Sequence, residues 1–528
     1  MRYSLALILS VVACFFGSSL SPSTAAADTP PATVIRITPP APVLDKTKRL
    51  EELAARRKHV ADAIGPKAML VLFSAEPRVY TNDVDFPFRQ ENNLFYLTNL
   101  NQKRATLVLM PSHNPSEILF MPRRNPAAET WTGHMYSAEE AAQLSGVKEI
   151  WEASEFDSFI NAVRAHQAYQ PKPENILMTG QSSGGASPAS SESLFDAAAK
   201  NEASLYLLNF QPDGESREYR QEQRFGATWA KDSGFNIQNA SGIFALMRLR
   251  KSPMELELMQ HAIDISIEAH QRAQAFASQA KWEYEVDAQV AYTFKLRNAD
   301  NWGYPDIVGC GPNATTLHYE ESQGPVKPGQ LLLMDVGAEY EHYSADVTRT
   351  FPVSGKFTKE QAEIYQIVYD AQEAVAKATK PGQSLSDINR VATEVIKDGL
   401  LKLGLITDRN ADWQYRVWFM HGTGHWLGMN VHDVGGGARF EPGMVFTNEP
   451  GIYVRLDALD NLPKTPETEK FIAAVQPAFE KYKGIGVRIE DDMQVTPEGC
   501  KWLTGALPRS IADIEAFIGK ARRETASR

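Results

Sequence analysis

Four apolar runs in the second half of this 528-residue chain each carry one acidic residue, and this pattern constrains the fold more than any other feature. The residues concerned are Asp335, Asp346, Glu449 and Glu490. Taken alone, each is typical of a turn or a solvated strand end, because aspartate and glutamate are seldom buried unless they are paired. Together with nearby histidines they supply four carboxylates and one or more imidazoles on elements of a single domain. Such a set is sufficient for two divalent cations that share bridging oxygens.

The two aspartates lie in what the pattern predicts to be a β-hairpin. Two apolar runs are joined by a short polar segment, and a turn centred between Tyr340 and Glu341 would place Asp335 directly opposite Asp346. Opposed residues of an antiparallel pair lie about 5 Å apart at Cβ. That separation suits two metal ions about 3.5 to 4 Å apart.

Three of the eleven histidines fall within the twelve residues from His421 to His432. Clustering of a common metal ligand in so short a segment is informative. Glycines recur through the segment and argue against a regular helix, so the spacing of His421 and His425 is not a helical zinc motif. The three cysteines of the chain are too few for a cysteine-based zinc site or a disulfide framework. We therefore predict that any metal site is built from histidine and carboxylates, a set that favours manganese over zinc without fixing the choice.

The composition is that of an ordinary globular protein, with 43% hydrophobic and 23% charged residues, and the length allows more than one domain. Over residues 46–245, helical patterns alternate with short apolar runs, which predicts an α/β N-terminal domain. At Ser252, a capping serine is followed by proline at the first helical position and by glutamate three residues on, and this opens a second domain over residues 250–510. Its strand-like runs and two long helical patterns favour an α+β fold with a mainly antiparallel sheet.

The same patterns give bounds for individual elements. The predicted strands of the first domain are Ala68–Phe73, Ala105–Met110, Glu117–Met121 and Ile176–Met178. Those of the second are Asp306–Gly309, Leu331–Val336, Asp346–Val353, Val445–Glu449 and Gly486–Glu490. The predicted long helices are Arg49–Ile64, Glu360–Thr379 and Leu385–Leu403.

The N-terminus has the three-part layout of a secretory signal, with an apolar run from Leu5 to Phe16 and small residues ending at Ala27. We predict cleavage after Ala27 and export to the periplasm or the cell exterior. The apolar run is shorter than the roughly 20 residues that span a bilayer. A lipoprotein-like box ending at Cys14 leaves lipid anchoring as an alternative. Residues 28–45 are rich in proline, threonine and alanine, a composition that predicts an extended tether that does not pack.

The charge balance of the chain indicates which class of binding partner is unfavourable. The formal net charge is −11 and the isoelectric point is 5.6, which argues against nucleic acid as the main partner because phosphate binding requires an excess of basic residues.

These motifs resemble those of the pita-bread metallopeptidases, and within them the Xaa-Pro aminopeptidase, or aminopeptidase P, family. The resemblance runs from about residue 50 to 510 and is carried by the strings HGTGHWLG, VHDVG, EPGIY and GIGVRIEDD. It implies a curved pita-bread sheet and five metal ligands that match in order: Asp335, Asp346, His425, Glu449 and Glu490. In the first domain, the segments that begin at Asp85 and Asn93 resemble the family's N-terminal domain.

The resemblance also implies a reaction and residue roles. The reaction is hydrolysis of the bond before a second-position proline by a hydroxide that bridges two divalent ions, with manganese expected first and zinc or cobalt as alternatives. The implied roles are proton transfer by Glu449, assistance by His318 and His432, a substrate site lined by His421, Arg488 and Tyr304, and support of the metal ligands by Tyr304 and Thr348. Relatives often form oligomers, so we expect a homo-oligomer that acts on peptides.

Two departures from the family are visible. The loop after Val434 is short, so that only Arg439 could replace a substrate-contacting arginine of the family. The stretch 455–483 is long and contains a helix start at Thr465, which predicts an extra helical flap bordering the site.

Three other functions are compatible with parts of the sequence. A prolidase shares the fold and ligands but cleaves only dipeptides. A pita-bread domain can also serve as a non-catalytic binding module. Finally, the string from Gly180 to Gly184 fits the nucleophile elbow of a serine hydrolase, although the helix that should follow it is missing from the sequence pattern.

Overall fold

The computed structural model describes residues 34–180, 185–188, 193–209, 218–229 and 233–526. The predicted signal segment, the box at Cys14 and the centre of the serine-containing string after Gly180 lie outside the described residues. None of the described helices has the length and the apolar stretch needed to cross a membrane.

A seven-stranded mixed sheet forms the centre of the N-terminal domain, with the strand order β11-β10-β1-β4-β6-β7-β8. Its strands and those of two small ribbons are β1 (Ala68–Phe73), β2 (Val79–Thr81), β3 (Val84–Asp85), β4 (Thr106–Leu109), β5 (His113–Asn114), β6 (Glu117–Met121), β7 (Ile150–Glu152), β8 (Ile176–Met178), β9 (Ser187–Pro188), β10 (Ala203–Leu207) and β11 (Phe235–Asn239). The helices are α1 (Lys46–Ile64), α2 (Asn92–Thr98), α3 (Pro126–Thr132), α4 (Ala138–Ser145), α5 (Phe156–Arg164), α6 (Leu194–Ala199), α7 (Arg220–Trp229) and α8 (Ser241–Leu249). All four strands predicted for this domain are present, which confirms the α/β architecture.

Strand β1 shows why these apolar runs form a central sheet. All six of its residues are buried, because apolar clusters cover both faces. Ala68, Leu70 and Leu72 pack into one cluster, and the alternate residues pack into the other. A strand buried on both faces reads as a continuous apolar run, which is the pattern observed in the sequence.

The C-terminal domain pairs its strands only in the antiparallel sense among the described residues and packs them against long helices. The strands are β12 (Asn301–Trp302), β13 (Ile307–Cys310), β14 (Leu331–Asp335), β15 (Ala338–Tyr340), β16 (Tyr343–Ser344), β17 (Thr348–Pro352), β18 (Val445–Asn448), β19 (Gly451–Tyr453), β20 (Gly486–Arg488), β21 (Asp491–Val495) and β22 (Cys500–Trp502). The helices are α9 (Pro253–Phe276), α10 (Glu283–Leu296), α11 (Lys359–Ala378), α12 (Leu385–Leu403), α13 (Asp412–Arg416), α14 (Pro466–Tyr482) and α15 (Ile511–Ala526). The predicted α+β fold with a mainly antiparallel sheet is confirmed.

Helix α9 begins where the sequence predicts. The Ser252 side chain accepts a hydrogen bond from the backbone N–H of Glu255 at 3.2 Å, and the Glu255 carboxylate accepts one from the backbone N–H of Ser252 at 2.9 Å. This reciprocal capping box satisfies two amides that the first helical turn leaves free.

The hairpin register differs from the prediction. Asp335 lies opposite Thr348, and the turn is centred between Glu341 and His342, one residue later than predicted. The expected pairing of Asp335 with Asp346 is therefore wrong. Moving the centre by one residue moves each partner by two positions, and side chains alternate with a period of two, so both aspartates still point to the same face of the hairpin.

Residues 34–45 contain no helix or strand, but they pack against the C-terminal domain. The backbone N–H of Arg36 donates to Gln271 at 2.6 Å, and the backbone N–H of Thr38 donates to Glu268 at 2.7 Å. The Arg36 guanidinium lies 3.0 Å from Asp264. All three partners lie on helix α9, so this segment differs from the expected unpacked tether.

Candidate metal centre

A cavity of about 440 Å³ lies in the C-terminal domain where β14, β18 and β20 end. Its lining contains every residue that the sequence analysis placed in the metal, catalytic or substrate site: Tyr304, His318, Asp335, Asp346, His421, His425, His432, Glu449, Arg488 and Glu490. These residues come from segments almost 190 positions apart in the chain. The fold therefore brings together a set that the sequence offers only as scattered motifs.

Asp335 is held from two sides at the end of β14. The Tyr304 hydroxyl donates to Oδ1 at 2.6 Å, and Nη2 of Arg488 donates to Oδ2 at 2.6 Å. The residue is only 7% exposed. These two donors fix the direction in which the carboxylate presents its remaining lone pairs to the cavity.

His425 lies between two carboxylates. Its Nε2 is 3.3 Å from Asp346 Oδ2 and 3.5 Å from Glu449 Oε1, while Nδ1 is 3.1 Å from the Trp426 carbonyl oxygen. Donation from Nδ1–H to that carbonyl leaves Nε2 free as a ligand atom. Burial opposes protonation, but the hydrogen bond to Asp346 and the charges of both carboxylates prevail and raise the pKa of His425 to about 9 in the metal-free protein.

Glu490 completes the group. Its Oε2 accepts from the Thr348 hydroxyl at 2.6 Å, and its backbone N–H donates to the Thr348 carbonyl at 3.1 Å. Thr348 therefore supports a ligand as the resemblance implied. Ligand atoms of Asp346, His425 and Glu490 all lie within 4.8 Å of one another, as a shared metal ion requires.

A chain of hydrogen bonds runs along one wall of the cavity. Nη1 of Arg488 donates to the Tyr453 hydroxyl at 2.9 Å, and that hydroxyl lies 2.8 Å from Nε2 of His421. His421 Nδ1 in turn lies 2.6 Å from the Gly422 carbonyl oxygen. Burial and the nearby charge of Arg488 lower the pKa of His421 to about 4, so it is a neutral imidazole that donates through Nδ1 and accepts through Nε2.

Two residues of this centre were missed by the sequence analysis. Tyr453 is the last residue of the EPGIY string and links His421 to Arg488. Asp492 is the last residue of the GIGVRIEDD string, and its Oδ2 accepts from the Asp346 backbone N–H at 3.2 Å. Both lie inside quoted motifs, so their position in those strings was the available signal.

His318 and His432 stand apart from the buried group. His318 lines the cavity, and the His432 ring centre lies 4.2 Å from that of His425. Both are exposed to the cavity, which leaves their ring nitrogens accessible to a bound molecule.

The two departures from the family lie elsewhere. Arg439 donates to the Gly382 carbonyl at 2.7 Å and does not line the cavity, so it does not replace the family's arginine. The helix predicted near Thr465 exists as α14, but it packs Phe471 on Trp413 with ring centres 4.9 Å apart. No described residue of 455–483 lines the cavity, so the expected flap bordering the site is wrong.

The charge balance of the centre fits divalent cations. Five carboxylates, those of Asp335, Asp346, Glu449, Glu490 and Asp492, face only two described cationic partners, Arg488 and His425. Burial, reinforced by neighbouring carboxylates, raises the pKa of Glu490 and of Asp492 well above the usual range. One Asp492 oxygen is buried without a hydrogen-bond partner in the described part of the chain. Added positive charge would relieve this repulsion, and oxygen and imidazole donors suit divalent metals.

Comparison with families of known proteins identifies the class of protein to which this chain belongs. Residues 257–497 match metallopeptidase family M24, and residues 53–170 match the aminopeptidase P N-terminal domain. Fold and site together thus define a two-domain, metal-dependent peptidase.

Individual similar proteins identify the family within this class. The chain is 34% identical over 481 residues to an Xaa-Pro aminopeptidase of Haemophilus influenzae, covering 89% of this chain and 97% of the relative. It is 30% identical to human Xaa-Pro aminopeptidase 3, covering 90% and 85% of the two chains. An Escherichia coli aminopeptidase P structure in complex with substrate superimposes with a TM-score of 0.72 at 29% identity, covering 91% of this chain and all of that one. The chain belongs to the Xaa-Pro aminopeptidases of metallopeptidase family M24.

This assignment bears on the alternatives. Family membership favours the aminopeptidase over the prolidase, the binding module and the serine hydrolase. The domain boundaries near residues 46 and 250 stay predictions.

Proposed function

We propose that this chain releases the N-terminal residue from peptides that carry proline at the second position. The observation that carries the proposal is the single cavity shared by two aspartates, two glutamates and His425 in a chain of this family. The Escherichia coli relatives were solved with a substrate, with the inhibitor Pro-Leu and with a product, which supports a peptide as the ligand of the corresponding cavity.

The metal ions would be held by Asp335, Asp346, His425, Glu449 and Glu490. When bound, they would supply an activated water and polarise the scissile carbonyl. Manganese is our first expectation because the ligands are mainly oxygens, with zinc and cobalt as alternatives.

The chain's own residues would position the peptide and move protons. The resemblance to the family supports Glu449 as the group that would accept the proton of the attacking water as well as bind metal. His318 and His432 are exposed to the cavity and can donate to the developing oxyanion or to the proline nitrogen. His421 and Tyr453, tied to Arg488, would form a fixed wall on the proline side.

The charges that line the cavity also favour longer peptides over dipeptides as substrates. Arg488 is the only arginine or lysine that lines the cavity among the described residues, and its nitrogens are used by Asp335, Thr348 and Tyr453. An Xaa-Pro dipeptide would bring its terminal carboxylate next to the proline, where no unused arginine or lysine of the described residues lines the cavity. A longer peptide presents a neutral amide at that position.

We further propose that the chain is exported after cleavage at Ala27 and that it forms a homo-oligomer. The first proposal is supported by the layout of residues 1–27, and the second by the resemblance to a family whose members often assemble.

The function is tested with purified protein stripped of metal and assayed on Arg-Pro-Pro and Ala-Pro, with and without added Mn²⁺. We expect release of arginine only when metal is present, and no activity in Asp335→Ala. Asp370→Ala serves as the matched control because this aspartate is exposed on α11 and should leave activity unchanged. Cleavage of Ala-Pro alone would indicate a prolidase, and inactivity on both peptides with every divalent metal would overturn the proposal.

A further inference from the structure

The segment that carries His432 has little secondary structure of its own. Residues 428–433 contain no helix or strand, and two backbone hydrogen bonds help to close the loop: Gly428 N–H to the Asn430 carbonyl at 3.1 Å and Asp433 N–H to the Trp426 carbonyl at 2.8 Å. A loop without a ladder of hydrogen bonds needs side-chain partners to hold one conformation.

Those partners come from the N-terminal domain, at the start of α2. Nη2 of Arg89 donates to the Met429 carbonyl at 2.8 Å, and Nδ2 of Asn92 donates to the Asn430 side-chain oxygen at 2.7 Å. Nη1 of Arg89 also donates to Oδ1 of Asn92 at 2.9 Å, so the two residues hold each other in place.

A second anchor lies at the other end of the loop. Arg248, at the end of α8, donates through Nη2 to Asp433 and through Nη1 to Asn93 at 2.9 Å. The Arg248 and Asp433 side chains are 3% and 1% exposed, respectively. The Asp433 carboxylate folds back under the loop so closely that a Cβ at Gly428 would lie 2.1 Å from it. A buried ion pair therefore fixes the residue next to His432.

We propose that Arg89, Asn92 and Arg248 are positioning residues for His432, so that the N-terminal domain forms a functional part of the catalytic centre. The inference rests on the proposed function, because it concerns the same reaction. A misplacement of about 1 Å is enough to lower a catalysed rate by about a hundredfold. The anchors in the N-terminal domain restrict such displacement, together with the Ser344 N–H bond to the Gly428 carbonyl at 2.9 Å and Lys251, 3.5 Å from Asp433.

The test compares Arg89→Met and Asn92→Ala with the parent enzyme on Arg-Pro-Pro, with metal content and thermal unfolding measured on the same samples. We expect kcat/KM to fall by between about tenfold and a hundredfold, mainly through kcat, with metal stoichiometry unchanged. Arg89→Met also removes the ion pair of Arg89 with Glu339, 2.7 Å away, so the matched control is Arg49→Met, which removes the interdomain ion pair of Arg49 with Glu341 without touching the His432 loop. It should retain kcat/KM within about twofold of the parent.

A double-mutant cycle separates positioning from general destabilisation. If Arg89 acts through His432, Arg89→Met should have almost no further effect on kcat/KM in a His432→Ala background. Losses that simply multiply in the double variant, or a loss equally large in Arg49→Met, would overturn the inference. Asn92→Ala repeats the cycle if Arg89→Met does not fold. A parent enzyme inactive on every peptide would instead overturn the proposed function.

Discussion

At the scale of single residues, Tyr304 is the clearest support of a metal ligand, because its hydroxyl donates directly to Asp335. Loss of such a supporting hydrogen bond lowers metal affinity or activity by about 10- to 100-fold. We expect Tyr304→Phe to weaken Mn²⁺ binding in this range, as measured by titration calorimetry, while the fold is retained. Tyr292→Phe is the matched control because this tyrosine is exposed on α10. Unchanged Mn²⁺ affinity in Tyr304→Phe would show that the hydrogen bond does not orient the ligand.

Metal binding is expected to depend on pH through His425 and Glu449. The raised pKa values, about 9 and about 7 respectively, mean that the metal-free protein carries protons on these groups at lower pH. A metal ion must displace those protons, and also the proton that the raised pKa of Glu490 retains, so affinity should rise with pH. Between pH 5 and 7 the dissociation constant should fall by about tenfold per pH unit for each proton displaced. Calorimetry in buffers of different ionisation enthalpy counts the protons, and an affinity independent of pH would contradict this assignment.

Some residues of the metal centre can be predicted from the sequence, and others cannot. Acidic residues within apolar runs and clustered histidines can be recognised in a sequence because they are unusual there. The order of the metal ligands was implied by the motif strings. Asp492 and Tyr453 act through other side chains and make no pattern of their own. Arg488 lines the cavity, and periodicity cannot reveal that its nitrogens are taken by Asp335, Thr348 and Tyr453.

At the scale of elements, the hairpin that carries both aspartates shows where the sequence is insufficient. Glu341 and His342 adopt positive φ angles of 45° and 68° without the glycine or asparagine that usually marks such a turn. The His342 ring stacks on Phe95 of the N-terminal domain with ring centres 3.8 Å apart. A contact from another domain thus accompanies the turn conformation, and such a contact cannot be inferred from local residues.

The connection between β12 and β13 supplies a pH-dependent prediction. The carboxyl of Asp306 accepts from Trp302 Nε1–H at 2.7 Å and is buried beside the carboxyl of Asp287 on α10. Burial and the charge of Asp287 raise the pKa of Asp306 well above its usual range, so the folded protein retains a proton that the unfolded chain loses above about pH 4. Stability should therefore fall as pH rises from that value towards the folded pKa.

Asp306→Asn tests this dependence because the amide can donate to Asp287 without titrating. We expect the variant to have a higher melting temperature than the parent at pH 7, and the difference to shrink towards pH 4. Asp370→Asn, on an exposed helix face, is the control. A constant difference between pH 4 and 8 would show that the pair does not share a proton.

At the scale of the whole molecule, the segment 34–45 contributes to stability although it has no regular structure. Its bonds to α9 help hold the Glu268 carboxylate, whose pKa is lowered to about 2 because the hydrogen bonds from Arg297 and Thr38 outweigh its burial. A chain that begins at Lys46 should therefore melt several degrees below one that begins at Val34, by roughly 2–4 °C for each kcal/mol lost. Calorimetric scans of the two chains measure the difference, and equal melting temperatures would contradict it.

The same segment shows which global features the sequence leaves out. Alternating helical and apolar patterns predicted the two architectures and nine of the 22 described strands, because periodicity records which face of an element is buried. A stretch rich in proline, threonine and alanine has no periodicity, and its packing depends on hydrogen bonds to residues more than 200 positions away. The strand order of the seven-stranded sheet is absent from local patterns for the same reason.

The hydrogen bonds of Arg488 limit which residues of the cavity can be exchanged to change the peptide preference. Because one guanidinium holds a metal ligand, a threonine and the tyrosine beside His421, exchanging any one of these residues disturbs the others. Changes of peptide preference are thus more accessible at Glu320, which lines the cavity, is exposed and makes no hydrogen bond to these residues. A library restricted to this position should yield a larger share of active members than one that varies Tyr453 or Arg488, since the first explores specificity while the catalytic geometry stays intact.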